Sequence, residues 1–104
     1  MFATVRRYEG IDQGRTEEVT DKISETLIPL LSKLPGFSGY YLLEAGGGVM
    51  TSISLFDTAP HANDSTRAAA AWVGDQDLVA ALPNPPKITI GEVVAHKTKP
   101  SWQT

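Results

Sequence analysis

LPGFSGYYLLEAGGGVMTSISLF, residues 34–56, sets two apolar runs either side of three consecutive glycines. A glycine loop that cradles phosphate leads into a helix whose N-terminus faces the anion. Here the chain leaves the glycines into VMTSISLF, whose β-branched residues make a poor helix and a good strand. The glycines therefore read as a hairpin turn, supplying the positive φ that such turns demand. The flanking strands run from Phe37 to Glu44 and from Val49 to Phe56.

Upstream, apolar residues fall at Val19, Ile23, Leu27, Leu30, Leu31 and Leu34, spaced by threes and fours as on one face of a helix. Thr16 is the expected N-cap, Pro29 predicts a kink or a loosened turn, and Pro35 with Gly36 stops the helix. Before it, FATVRRYE, residues 2–9, has strand character, followed by a polar loop over 11–15. Downstream, Asp57 or Thr58 caps a second helix with Pro60 in its first turn. Ala62, Thr66, Ala69 and Val73 share one of its faces, and the alanines at 68–71 allow close approach to a sheet, with Trp72 as the bulky anchor. Gly74 is expected to interrupt this helix, and DQDLVAAL to add a short turn before Pro83, Asn84, Pro85 and Pro86. Residues 87–97 form the last strand and 97–104 a tail, including KPSWQT.

The order strand, helix, strand, strand, helix, strand is the ferredoxin-like βαββαβ pattern, an α+β fold with an antiparallel sheet. Right-handed crossovers place strands one and three centrally and strand four beside strand one. Two helices cover one face of such a sheet. The other face, carrying Tyr40, Leu42, Ile53 and Leu55 or their alternates, calls for a covering partner, most simply a second copy in a homodimer.

Composition agrees with a single domain spanning 1–104. The 104 residues are 41% apolar, enough to bury roughly two thirds of the unfolded surface. With no cysteine, disulfides, thiolate catalysis and iron–sulfur clusters are excluded. The net charge of -3 is spread along the chain, without the basic stripe of a nucleic-acid binder. Glu17, Glu18, Asp21 and Glu25 gather near the start of the first helix, where they complement its dipole. No apolar run approaches the ~20 residues that span a bilayer. MFATVRRYEG reads as neither signal nor transit peptide, so the expected location is cytoplasmic, away from membranes.

The segment LSKLPGFSGYYLLE, the following VMTSISLFDT with its helix ending in AAAAWV, and the final ITIGEVVAHK resemble the dimeric α/β-barrel superfamily, and within it the antibiotic biosynthesis monooxygenase-like proteins. The resemblance covers nearly the whole chain. It implies two sheets paired into a barrel and, for some members, oxidation of polycyclic phenols by dioxygen without metal or flavin. Haem-degrading relatives use an asparagine on the first strand, where this chain has Arg6 and Arg7, so haem chemistry is disfavoured.

The function expected is that of a cofactor-independent monooxygenase acting on an aromatic or polyketide-like small molecule. The alternative is a non-catalytic, ligand-binding or stress-associated barrel. A cofactor-free oxygenase needs a base, a cation or donors to hold a phenolate, and a dry aromatic pocket. His61 or His96 is the candidate base, Arg6 or Arg7 the phenolate clamp, and Tyr8, Tyr40, Tyr41 and Trp72 the walls, with Ser52 and Ser54 as possible donors on one face of a strand. Each has a structural counterpart: exposed histidines, a core tryptophan, polar fillers. The two tyrosines at 40 and 41 must point to opposite faces. Centre-aligned pairing of the first and last strands would bring Glu92 level with Arg6, allowing a buried ion pair.

Overall fold

The computed structural model describes residues 1–98; the KPSWQT tail lies outside the described residues. The chain runs β1 (Phe2–Tyr8), a 3₁₀ turn (Gln13–Arg15), α1 (Thr16–Lys22), a π turn (Ile23–Leu27), α2 (Ile28–Ser32), β2 (Phe37–Gly46), β3 (Val49–Phe56), α3 (Ala59–Asp75) and β4 (Lys87–Glu92). The strands form one antiparallel sheet in the order β2-β3-β1-β4. This is the ferredoxin-like arrangement, with β1 and β3 central.

The triple glycine is the β2–β3 turn. Gly46, Gly47 and Gly48 have φ of 80°, 63° and 79°, a left-handed run that residues bearing a Cβ resist. A bulge between Glu44 and Gly46 sets the register of the hairpin. Gly48 also meets the β1–α1 loop, its carbonyl accepting from the Ile11 N–H at 3.0 Å.

The first helical rod differs from its sequence reading at its start. Asp12, not Thr16, opens it: its carboxylate accepts from the Gly14 N–H at 3.0 Å and starts the 3₁₀ turn that feeds α1. The kink or loosened turn expected at Pro29 takes the form of a π turn, in which the Ile28 N–H reaches back to the carbonyl of Ile23. A proline ring collides with the carbonyl four residues earlier, and a wider turn upstream relieves that collision without breaking the rod.

In α3, Thr58 is the N-cap, accepting from the His61 N–H at 3.3 Å. Gly74 does not interrupt the helix. The chain stays helical to Asp75 and leaves where Asp77 takes a φ of 56°. One further turn closes with the Leu82 N–H donating to the Leu78 carbonyl at 2.9 Å before the prolines intervene. β4 stops at Glu92, short of the expected 97, because Glu92 already lies opposite Phe2 and β1 offers no earlier strand residue to pair with.

Strand alternation then divides the side chains. Thr4, Arg6, Tyr8, Met50, Ser52, Ser54 and Phe56 face the helices, and the register places Tyr40 and Leu42 with them. Ile53 and Leu55 lie on the open face as expected, whereas Tyr40 and Leu42 do not; Tyr41 and Leu43 take their place there. The core forms between rod and sheet: Val19, Ile23, Leu27 and Leu31 pack with Ala69 and Trp72 of α3 and with Leu78 and Leu82 of the following loop. No helix of the described residues is long and apolar enough to cross a membrane.

Candidate functional site

Adjacent arginines on a strand must point to opposite faces, and the two here have different fates. Arg7 is exposed and pairs with Glu9 at 3.1 Å. Arg6 points under the helices and is 2% exposed. Its guanidinium donates from Nη1 to the Ser54 hydroxyl at 3.4 Å and from Nη2 to the Thr66 hydroxyl at 3.1 Å. Among the described residues no carboxylate lies within ion-pair reach of it. The pairing with Glu92 expected from centre-aligned strands does not occur. The register sets Arg6 opposite Ile88 and leaves Glu92 at the far end opposite Phe2, exposed.

Arg6 is therefore a buried cation neutralised by no anion among the described residues. Desolvation pulls its pKa below the ordinary arginine value, opposed by the electrostatic influence of Tyr8 and Tyr40. It stays protonated at any ordinary pH. Both phenols move the other way. Burial raises the pKa of Tyr8, opposed by the Arg6 charge. Burial also raises that of Tyr40, opposed by a hydrogen bond with Ser52 and then by Arg6. The result is one cation beside two neutral phenols in low dielectric, where an arriving anion feels a field far stronger than in water.

Two hollows meet at Arg6 and Tyr8. The larger, a cleft of about 350 Å³, lies between α3, β4 and the proline-rich 79–86 loop, with Thr66, Ala70, Val73 and Ile88 among its walls. The smaller, about 20 Å³, lies inside the core, and Tyr40, Ser52 and Trp72 border it. Trp72 is fixed there by its indole N–H, which donates to the Thr26 hydroxyl at 2.7 Å, while that hydroxyl donates to the Lys22 carbonyl at 2.6 Å.

The structure thus brings together Arg6, Tyr8, Tyr40, Trp72, Ser52 and Ser54. It does not bring Arg7, Tyr41 or His61 to either hollow. Tyr41 is 60% exposed on the open face. His61 sits at the start of α3 with Nδ1 2.6 Å from Asp57 Oδ1, packed over Gly36 so closely that a Cβ there would overlap the Asp57 carboxylate. His96 is exposed beyond β4. Sequence reasoning missed Thr66 and Asn84 as cleft residues. Thr66 could be suspected as the one hydroxyl on the apolar stripe of α3, whereas Asn84 is placed by its bond to the Glu9 carbonyl at 3.1 Å, which no local pattern announces. Neither hollow has a histidine or carboxylate among its described lining residues, and no group of three histidine, aspartate or glutamate side chains suited to a metal occurs among the described residues.

No family model matches the sequence, and no curated protein matches it. Solved structures do. A protein of unknown function from Nitrosomonas europaea superposes with a TM-score of 0.75 at 20% identity, covering 96% of this chain and 95% of that one. A candidate antibiotic biosynthesis monooxygenase from the same organism gives 0.73 at 14% identity, covering 91% and 100%. A Streptomyces coelicolor monooxygenase, in complex with nanaomycin D, gives 0.70 at 12% identity, covering 95% and 92%. At these identities the likeness is one of fold. The chain has the ferredoxin-like α+β fold of structures named as antibiotic biosynthesis monooxygenases.

Proposed function

We propose that this protein binds an aromatic, phenol-bearing small molecule in the cleft beneath β4 and oxygenates it with dioxygen, without a cofactor. The observation that carries this reading is Arg6: a buried guanidinium with no carboxylate partner among the described residues, facing a cleft walled largely by apolar side chains. A flat ring fits such walls, and the cation favours the ring's ionised hydroxyl. Lacking an imidazole or carboxylate among the described lining, the cleft acts by lowering the ligand's own pKa, the proton passing to solvent at its mouth. The resulting phenolate is electron-rich enough to reduce dioxygen. In the net reaction, a ring CH₂ of the keto tautomer and O₂ give a ring carbonyl and water. That a monooxygenase of this fold is seen with nanaomycin D supports a small-molecule ligand.

Arg6 is the anion-holding group in this reading. Tyr8, Tyr40, Ser52, Ser54 and Trp72 shape and hold its surroundings, and Arg7, Tyr41 and His61 have no part at the cleft. The open sheet face is covered by a second copy, which pairs the two sheets. The absence of a base in the described lining favours a second reading, binding without turnover. Titrating p-nitrophenol into the protein separates the steps. Its absorbance should show an apparent pKa lowered by about one unit or more when bound, and the shift should vanish in Arg6→Gln. An electron-rich quinol should then consume oxygen above the uncatalysed rate. Binding with no excess consumption would leave the second reading standing, and no shift at all would remove both.

A further inference from the structure

Arg6 borders the interior hollow as well as the ligand cleft, so its charge acts on both. A guanidinium carries five N–H donors, of which Ser54 and Thr66 take two. The rest of the hollow's polar wall is the hydroxyls of Tyr8, Tyr40 and Ser52. None of these donates to a carbonyl or carboxylate among the described residues. Every group on that wall can therefore donate to a guest. The wall's own source of negative charge is closed off, because burial keeps both phenols protonated. A water would satisfy the donors but leave the charge of Arg6 uncompensated, and buried charges are costly unless paired. An anion answers both needs. The volume, about 20 Å³, admits one water-sized guest and excludes acetate or sulfate. Ile23, Leu27, Met50 and Ala69 supply apolar walls around it, where attraction to a cation is screened far less than in water.

We propose that the interior hollow binds a single monatomic anion, a halide such as chloride, seated against Arg6 and the hydroxyls of Tyr8, Tyr40 and Ser52. The site stands without the oxygenase reading above; its effect on the cleft rests on that reading. Arg6 is shared between the two hollows, so a halide on its inner side offsets the charge that draws a phenolate into the cleft. The two anions then bind in antagonism. By linkage each weakens the other's affinity by the same factor. Halide concentration thereby sets how tightly the cleft holds an ionised ligand, while the ligand-free protein gains a counterion for its buried cation.

Bromide is the probe, because it scatters anomalously and is close to chloride in size. Crystals grown in sodium bromide should show an anomalous peak in the interior hollow; an ordered water there instead overturns the site. In solution, bromide is exchanged for acetate at fixed ionic strength. The melting temperature should rise with the logarithm of bromide concentration once the site fills. Ala69→Val, which fills the hollow from α3, should abolish that rise while leaving p-nitrophenol affinity in acetate unchanged. Arg6→Met removes the charge, should abolish the rise as well, and serves if the first variant does not fold. Saturating bromide should weaken p-nitrophenolate binding severalfold in the parent and not in Ala69→Val. A melting temperature indifferent to bromide, or equally responsive in both variants, overturns the anion site. Bromide binding that leaves p-nitrophenolate affinity unmoved overturns the sharing of Arg6. A p-nitrophenol pKa that fails to shift even in acetate overturns the ligand reading, and the melts and the anomalous peak still decide the anion site.

Discussion

Arg6 and Arg7 differ by one position and by every physical consequence of it. On the helix side of β1, Arg6 loses its hydration and gains only two hydroxyl acceptors, Ser54 and Thr66. A buried cation without a carboxylate is costly, and apolar replacements of buried charges are often neutral or stabilising. Arg6→Met should therefore unfold within about 1 kcal/mol of the parent in urea, the relieved desolvation offsetting the lost hydrogen bonds. The same change should weaken p-nitrophenol binding at least about tenfold, or ~1.4 kcal/mol. A large stability loss with unchanged binding would assign Arg6 a purely structural role. Tyr8 and Tyr40 give the site a signature in alkali. Their folded pKa values lie above the ordinary 10.0, so the unfolded chain releases these protons first. Their contribution is fully present below about pH 10 and is lost as pH rises from there through the folded values. Urea midpoints should fall between about pH 9 and about pH 11, and Tyr40→Phe should flatten that fall.

At the scale of elements, the hairpin shows how a local choice fixes a register. The left-handed glycines turn β2 onto β3, and the pairing of Tyr40 with Ser54 and of Leu42 with Ser52 places a tyrosine near Arg6. Gly47 and Gly48 offer a paired test, since both have positive φ but only Gly48 is crowded. A Cβ at Gly47 meets nothing within 4 Å, whereas one at Gly48 would lie 3.0 Å from the Ile11 carbonyl oxygen. Gly47→Ala should cost about 1 kcal/mol in thermal or urea unfolding, from backbone strain alone. Gly48→Ala should cost clearly more, since it also disturbs the Ile11 hydrogen bond that anchors the β1–α1 loop. Equal losses would mean that the loop moves aside without cost. The π turn before Pro29 and the left-handed Asp77 that ends α3 belong to the same scale. Each answers to its surroundings as well as to its own residue, which is why Gly74 alone does not stop α3.

For the whole molecule, the open sheet face is the feature still to be satisfied. Tyr41 and Leu43 are 60% and 50% exposed beside Val5, Ile53 and Leu55, an apolar patch of a kind that marks interfaces. We expect a dimer in sedimentation at micromolar protein, and Leu43→Lys should shift it to the monomer. A parent chain that sediments as a monomer would remove the proposed pairing. The order of elements, the hairpin, the strand alternation that separates Arg6 from Arg7, and the lack of any cysteine chemistry were all legible in the sequence, because each rests on periodicity or on the backbone freedom of particular residues. Which arginine goes inside, the exclusion of His61 from the cleft, the loss of the Glu92 partnership and the entry of Thr66 and Asn84 were decided only in three dimensions. Those facts depend on the register of β1 against β4 and on where α3 crosses the sheet, contacts between residues up to 90 positions apart that no local pattern encodes.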